Sequence, residues 1–377
     1  MKTHQLTVRF ATLDDTDRIA RFNERLRLGG SVLSLSIDSD TLAGPPTDGL
    51  PRRALMVAED SKEIRAGVVL YHNQMYVAGT PRRFCWIQMP ISEGIVDRSH
   101  AMAIVQLIRA AIQYEPLLIS LGVGSTTEPW SRFAISLGWK HTFVPFFFYP
   151  VDCTRVLRGL RYLERRPNAR TAAKIAASIG LGSLASAALA LRRSLRREFR
   201  AEIEVVGSFG SWADEVFNSS LPDYPALASR NAEALNLVYP LQDKRFTRLR
   251  VEQTDGNDMG WVIVCAAQMD NNRYFGDLKV GVLVDGLARA ASVPSLLAAG
   301  MEYLIAKKVD LIVANWSHTA WTGSMKRLGF FAGPSNYLAL VPKEGVGELK
   351  SFETPSGMHL TRGDSDGMVS FRRMASY

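Results

Sequence analysis

Two stretches of this 377-residue chain spell the same helix ending, WSRFAISLGW at 130–139 and WTGSMKRLGF at 321–330. Each opens on Trp and closes on Leu-Gly-aromatic, where the glycine can end a helix in left-handed geometry. Each also lies between two apolar strand-like runs: PLLISLGV and HTFVPFFFYP around the first, DLIVANW and NYLALVP around the second. A pattern that recurs in the same context predicts one fold present twice, since the same order of elements must bury its apolar faces in the same way. A chain of this length also fits two domains better than one.

The rest of each copy supports that reading. In the first, QLTVRFAT reads as a strand, and the helix after it puts Ile19, Phe22 and Leu26 on one face. The Gly/Pro/Ser-rich run from Leu28 to Pro51 reads as a loop. RALMVAED, AGVVLYHNQMYVAG and FCWIQMPISEGIV are strands, and HAMAIVQLIRAAIQYE is a helix. The second copy runs similarly, from AEIEVVGSF through GWVIVCAAQM and YFGDLKVGVLVD to the helix SVPSLLAAGMEYLIAKK. Pro294 is tolerated in that helix's first turn. The expected class is α/β, with two mixed-sheet lobes at 1–152 and 201–377 and a helical insert at 153–200.

Charge separates the insert from the lobes. The chain carries +8. Residues 155–200 hold Arg at 155, 158, 161, 165, 166, 170, 192, 193, 196, 197 and 200 plus Lys174, against only Glu164 and Glu198, a balance of +10. The two lobes together are therefore slightly acidic. The middle of the insert, IAASIGLGSLASAALAL at 175–191, has no charge and is rich in Ala, Gly and Ser. Three readings are open: inter-lobe helices with solvated arginines, an amphipathic arm on an anionic membrane surface, or nucleic-acid binding. The last has least support, because only Tyr162 and Phe199 interleave with the arginines.

Cys85, Cys153 and Cys265 are odd in number, far apart and in no CxxC pair, and two of them lie in apolar strand runs. They read as buried small hydrophobes in a reducing compartment, with neither a disulfide framework nor a metal site expected. The first residues, MKTHQLTVRFATLDD, have no apolar core segment of a secretory signal. No charge-free apolar run reaches the ~20 residues of a membrane span. The expectation is a cytoplasmic protein, peripheral at the inner membrane face if the insert docks there.

The strand-helix-strand order ending in Leu-Gly-Trp/Phe resembles the GCN5-related N-acetyltransferase superfamily. The resemblance implies a tandem acyl-CoA N-acyltransferase fold, an acyl-CoA co-substrate (acetyl-CoA foremost), and acylation of an amine. It also implies that the donor's pyrophosphate rests on N–H groups at the start of a central helix, within a Q/R-x-x-G-x-G/A loop. Such a helix start is a general anion site. Arg98-Ser99-His100-Ala101-Met102-Ala103, led in by Ile95 and Val96, carries a worn version of that loop. The second copy has Val284-Asp285 and Arg289 as lead-in, but Ser292 and Pro294 stand where glycines are expected. The first copy is the better donor site. The runs SEGIVDRSHAMAIVQLIRAA and RNAEALNLVYP and the tail LTRGDSDG further resemble a bacterial group of tandem proteins associated with surface-polysaccharide genes, implying a small amine or amino-sugar acceptor.

Acyl transfer to an amine needs a polarised thioester carbonyl and a base for the ammonium proton, and is helped by an acid for the leaving thiolate. The superfamily's usual Tyr acid falls on Ala134 and Met325, neither of which can donate. Tyr149 and Tyr337, on the next strands, are substitutes, or else half-buried strand aromatics. Glu93 and His100 are base candidates, or a strand-end charge and a polar helix-start residue. In the second copy Asn315 and His318 face the expected cleft, with a plainer reading in which Ser317 or Thr319 caps a helix and His318 lies on the surface, and Asp285 is a candidate with a plainer reading as a cap or turn. Asp364 and Asp366 have Asp-x-Asp spacing without the other ligands of a calcium loop, so they read as a turn. The missing acid and worn loops also fit a non-catalytic scaffold of the same fold.

Overall fold

A computed structural model describes residues 6–46, 49–60, 63–122, 124–162, 167–195, 201–252, 258–347, 349 and 357–364. The first half contains β1 (Thr7–Phe10), α1 (Thr16–Leu28), β2 (Arg52–Glu59), β3 (Ile64–Val77), β4 (Thr80–Ser92), α2 (Met102–Tyr114), β5 (Leu118–Leu121), α3 (Pro129–Ser136), β6 (Lys140–Phe143) and β7 (Phe146–Pro150). Three helices follow: α4 (Cys153–Gly159), α5 (Pro167–Ser178) and α6 (Leu181–Ser194). The second half contains β8 (Glu202–Val206), α7 (Ser211–Ser220), β9 (Ala226–Ala228), α8 (Ala232–Val238), β10 (Thr247–Glu252), β11 (Asp258–Gln268), β12 (Lys279–Ala288), α9 (Val293–Ala306), β13 (Leu311–Asn315), α10 (Thr319–Leu328), β14 (Phe331–Gly333) and β15 (Leu338–Val341). The short α11 (Lys343–Val346) and β16 (Met358–His359) come last. Of the insert's charged residues, Glu164, Arg165, Arg166, Arg196, Arg197, Glu198 and Arg200 lie outside the described residues, as does the tail after Asp364.

The chain forms two units, Met1–Thr142 with Leu338–Glu353, and Phe143–Tyr337 with Thr354–Tyr377. The first division falls before the boundary expected at residue 152, and the two sheets exchange strands there. The first sheet runs β1-β2-β3-β4-β5-β15-β6, and the second runs β14-β7-β13-β12-β11-β10-β8. Each sheet therefore takes its second-to-last strand from the other half of the sequence. Tyr149 on β7 pairs with Ile312 of β13, and Leu340 on β15 pairs with Ser120 of β5. The sequence HTFVPFFFYP, expected as one strand, breaks at Val144-Pro145. A residue before proline is held extended and proline has no N–H. Two such residues cannot turn β6 back into a hairpin with β7.

In the first unit both sheet faces are covered. Met56, Val68, Leu70, Cys85 and Ile87 pack with Ala103, Leu107, Ile108 and Ala111 of α2. Leu55, Val57, Val69 and Ile91 pack with Ile19, Phe22 and Leu26 of α1, and with Leu35 and Leu42 from the long loop. In the second unit β12 and β13 are almost wholly buried, and Leu296, Leu297, Met301 and Leu304 of α9 are buried with them. All three cysteines are free and buried.

The repeated helix ending is realised identically. Gly138 and Gly329 have φ of 86° and 94°. Trp139 donates its N–H to Ala134 O at 3.1 Å, and Phe330 donates to Met325 O at 3.0 Å. Gly138 and Gly329 donate to the carbonyls of Ile135 and Lys326. These paired bonds close each helix end and satisfy carbonyls that would otherwise be orphaned.

Candidate functional site

Each unit carries the same irregularity in its central strand pair. Between β3 and β4 the register steps from Gly67↔Ile91 to Val69↔Gln88, which leaves one extra residue in β4, where Met89 has φ of 48°. Between β11 and β12 it steps from Ile263↔Asp285 to Val264↔Leu283, which leaves Val284 extra in β12. A bulge bends its strand away from the regular ladder. Beyond it, parallel pairing to the next strand stops. β4 pairs with β5 only at Cys85↔Leu118 and Trp86↔Ile119, and β12 pairs with β13 only from Val280 to Leu283. The strands part toward their carboxyl ends, and α2 or α9 starts beyond the fork.

In the first unit that helix start is at the surface. A turn at Glu93–Ile95 leads to a second turn at Arg98–His100, capped by Asp97, whose carboxylate accepts from Ser99 N at 2.9 Å. The backbone of His100 donates to Asp97 O, and that of Ala101 to Arg98 O. Arg98, Ser99, Ala101 and Met102 are exposed, Ile95 is 55% exposed, and Ala103 is buried in the core. Val96 packs against Gly29, and a Cβ on Gly94 would meet Ala101 Cα at 2.7 Å. His100 Nε2 lies 3.7 Å from the Asp97 carboxylate. The segment expected to cradle phosphate is thus an exposed helix start with a cation, Arg98. It also carries its own anion, Asp97, at the cap position.

Glu93 is not a solvated charge. It is buried, and its carboxylate accepts from Arg25 Nε at 2.9 Å and from Arg65 Nη1 at 2.9 Å. Both oxygens are bonded, tying α1 and β3 to the start of the turn. Tyr149 belongs to the second sheet rather than the first, is 2% exposed, and donates to Leu189 O at 3.4 Å. Burial pushes its hydroxyl pKa above the usual value. Ala134 and Met325, at the usual acid position, are both fully buried. A residue that sequence reasoning missed lies just before the bulge. Gln88 is 3% exposed, its Oε1 accepts from Arg53 Nε at 3.2 Å, and its Nε2 has no partner among the described residues. Because Arg only donates, the amide orientation is fixed with Nε2 as the orphan donor.

In the second unit the fork is occupied by the chain's own tail. Gly363 N donates to Val284 O at the bulge at 3.0 Å, Ser317 N donates to Leu360 O at 3.1 Å, and His359 Nε2 meets Gly286 O at 2.8 Å. Asp285 was read as a turn residue, but it is buried in a salt bridge. Arg230, 2% exposed, donates Nε to Asp285 Oδ1 at 3.2 Å and Nη2 to both oxygens of Asp364 at 3.0 and 2.9 Å. Thr361 and Tyr239 add hydroxyl bonds to Asp285 at 3.0 and 2.9 Å. Asn315 accepts from Arg362 at 2.7 Å, and Tyr337 donates to Asp364 O at 3.1 Å. His318 is buried rather than exposed and caps α10 through Nδ1, while Arg289 pairs outside this cluster with Asp223 at 2.9 Å. Burial pushes the Asp364 carboxyl up to about 6 against the pull of Arg230. Asp364 is therefore one end of a buried clasp, and Asp366 lies outside the described residues. Arg230 and Thr361 lie in the runs RNAEALNLVYP and LTRGDSDG that carry the resemblance, but no feature of the sequence assigned either a role. Their signal is only that an internal Arg needs carboxylates and Asp285 and Asp364 supply them. Among the described residues no group of three or more His, Cys, Asp or Glu is placed to hold a metal ion.

Solved structures share this fold over most of the chain. A protein of unknown function from Enterococcus faecalis, described as a probable N-acyltransferase, matches with a TM-score of 0.53 at 11% identity, covering 92% of this chain and 74% of that one. A GCN5-related N-acetyltransferase from Anabaena variabilis matches with a TM-score of 0.52 at 9% identity, over 89% of this chain and 72% of that one. Another from Kribbella flavida gives 0.52 at 12% identity, over 89% and 71%. No protein-family model and no curated protein sequence matches the chain. The fold is that of the GCN5-related N-acetyltransferases, in a tandem arrangement.

Proposed function

We propose that the chain is an acyl-CoA-dependent N-acyltransferase whose first unit does the chemistry. The observation that carries this reading is the contrast between the two forks: the second is stitched to the chain's own tail, whereas the first leads to an exposed helix start bearing Arg98. In the proposed reaction the amine nitrogen attacks the thioester carbonyl. The tetrahedral adduct collapses, the C–S bond breaks, and CoA leaves as the thiolate. The ammonium proton passes to a base and on to the thiolate or to water, leaving an amide and free CoA. His100 is the preferred base, because Glu93 is committed to Arg25 and Arg65. The acceptor is a small amine or an amino sugar, and the reaction takes place on the cytoplasmic side.

Calorimetric titration with acetyl-CoA and longer acyl-CoAs, followed by thiol release in the presence of an amine panel, tests this. Binding is expected, with Arg98→Ala weakening it and His100→Gln lowering kcat by ~100-fold with little change in KM. If no acyl-CoA binds and Arg98→Ala changes nothing, the reading is wrong. The Asp97 carboxylate at the helix start and the absence of a donor at Ala134 then favour a non-catalytic scaffold.

A further inference from the structure

The helices between the two sequence copies present an apolar stripe that is exposed among the described residues. On α6 and its last turn, residues 181, 184, 188, 191 and 195 fall within one narrow sector of the helix wheel. Leu181, Leu184, Leu191 and Leu195 there are 49%, 68%, 62% and 73% exposed. The opposite sector faces the protein body. Gly182 abuts Thr154, Ser186 Oγ accepts from Cys153 N, Leu189 O accepts from Tyr149, and Arg193 pairs with Glu302. On α5, Ala173 and Ala177 are buried, while Ile175 and the following Ile179 are 55% and 65% exposed. The two helices meet at Gly180, which has φ of 84°, and they bend by 81°. Among the described residues no single helix is long and apolar enough to cross a membrane, and at this bend the pair makes an elbow.

Charge decides what covers the stripe. Residues 167–195 include Arg170, Lys174, Arg192 and Arg193, the last already paired with Glu302, and no Asp or Glu, and the flanking sequence adds Arg165, Arg166, Arg196, Arg197 and Arg200 against Glu164 and Glu198. A second copy docking by two-fold symmetry would set these cations against themselves. An anionic bilayer offers both an acyl boundary for the leucines and phosphates for the arginines. We propose that the α5–α6 elbow docks on an anionic lipid surface, lying in the headgroup layer with its Ile/Leu stripe turned inward. This assignment does not depend on which acyl donor, if any, the first unit uses.

Flotation of the full-length protein with phosphatidylglycerol/phosphatidylcholine vesicles, against phosphatidylcholine alone, reads it out. The intact protein is expected to float with the anionic vesicles and to be released by salt. Leu184→Glu with Leu191→Glu, and separately Lys174→Glu with Arg192→Glu, are each expected to lower the bound fraction ~tenfold with melting temperature unchanged, since these side chains are exposed. Recovery of the intact protein in the soluble fraction at low salt would overturn the proposal. So would a dimer in sedimentation that Leu184→Glu dissolves while flotation is absent, because the stripe would then belong to a second copy.

Discussion

Asp97 and Arg98 oppose one another at the start of α2. The carboxylate caps the turn through Ser99 N and favours folding, yet it places negative charge where a diphosphate would bind. Asn caps nearly as well as Asp. Asp97→Asn is therefore expected to leave the melting temperature within a degree or two while tightening acyl-CoA binding severalfold by calorimetry. In the second unit Arg230 has the opposite character. It has no solvent and two carboxylates, so Arg230→Met strands Asp285 and Asp364 and is expected to cost about 3–5 kcal/mol in urea unfolding. Arg230 opens the run RNAEALNLVYP, but its burial was not legible, because nothing local distinguishes an arginine that will be buried from one on a surface. Its partners are 55 and 134 residues away. Glu93 was misread for a similar reason, since Arg25 and Arg65 reach it only once α1 and β3 are folded.

At the scale of elements, the helix endings were the most legible feature, because glycine supplies the left-handed residue that the closing bonds need. Gly138→Ala and Gly329→Ala have open space for the new methyl or only ordinary contacts, so the cost is conformational, about 1–2 kcal/mol each. Chemical denaturation of each variant measures it. The order of strands was legible too, but their sheet was not. Apolar runs such as FFFYP and YLALV carry no mark of which neighbour they pair with, and HTFVPFFFYP read as one strand although the stiff Val144-Pro145 link divides it into β6 and β7. Residues 1–152 expressed alone lack β15 and leave β7 without β13. The fragment is expected to aggregate or swap strands, and to be rescued by co-expression with residues 153–377. Size-exclusion chromatography of the fragment with and without its complement tests this. A monomeric, cooperatively melting fragment would refute it.

For the molecule as a whole, acid is the informative variable. Burial holds His72 and His318 down to about 4, and His359 well below its usual value. Each stays neutral when folded but takes up a proton near 6.5 when unfolded. Stability is therefore expected to fall as the pH drops from 6.5 toward 4. Asp364 works against this, because its raised carboxyl takes up a proton in the folded state before the unfolded chain does, offsetting about one histidine between pH 6 and 4. Asp15, held far below the usual carboxylate range by Arg9, adds further loss below 4. Denaturant melts from pH 7 to 4 should show the slope, and His318→Phe should flatten it.

The exchanged strands bear on how this sequence can change over time. A duplicated domain ordinarily leaves one copy free to decay or be deleted while the other carries on. Here the second-to-last strand of each sheet is written in the opposite half of the gene. A deletion that removes either copy also removes a strand from the survivor. The clasped second unit is thereby retained as a permanent donor of one strand.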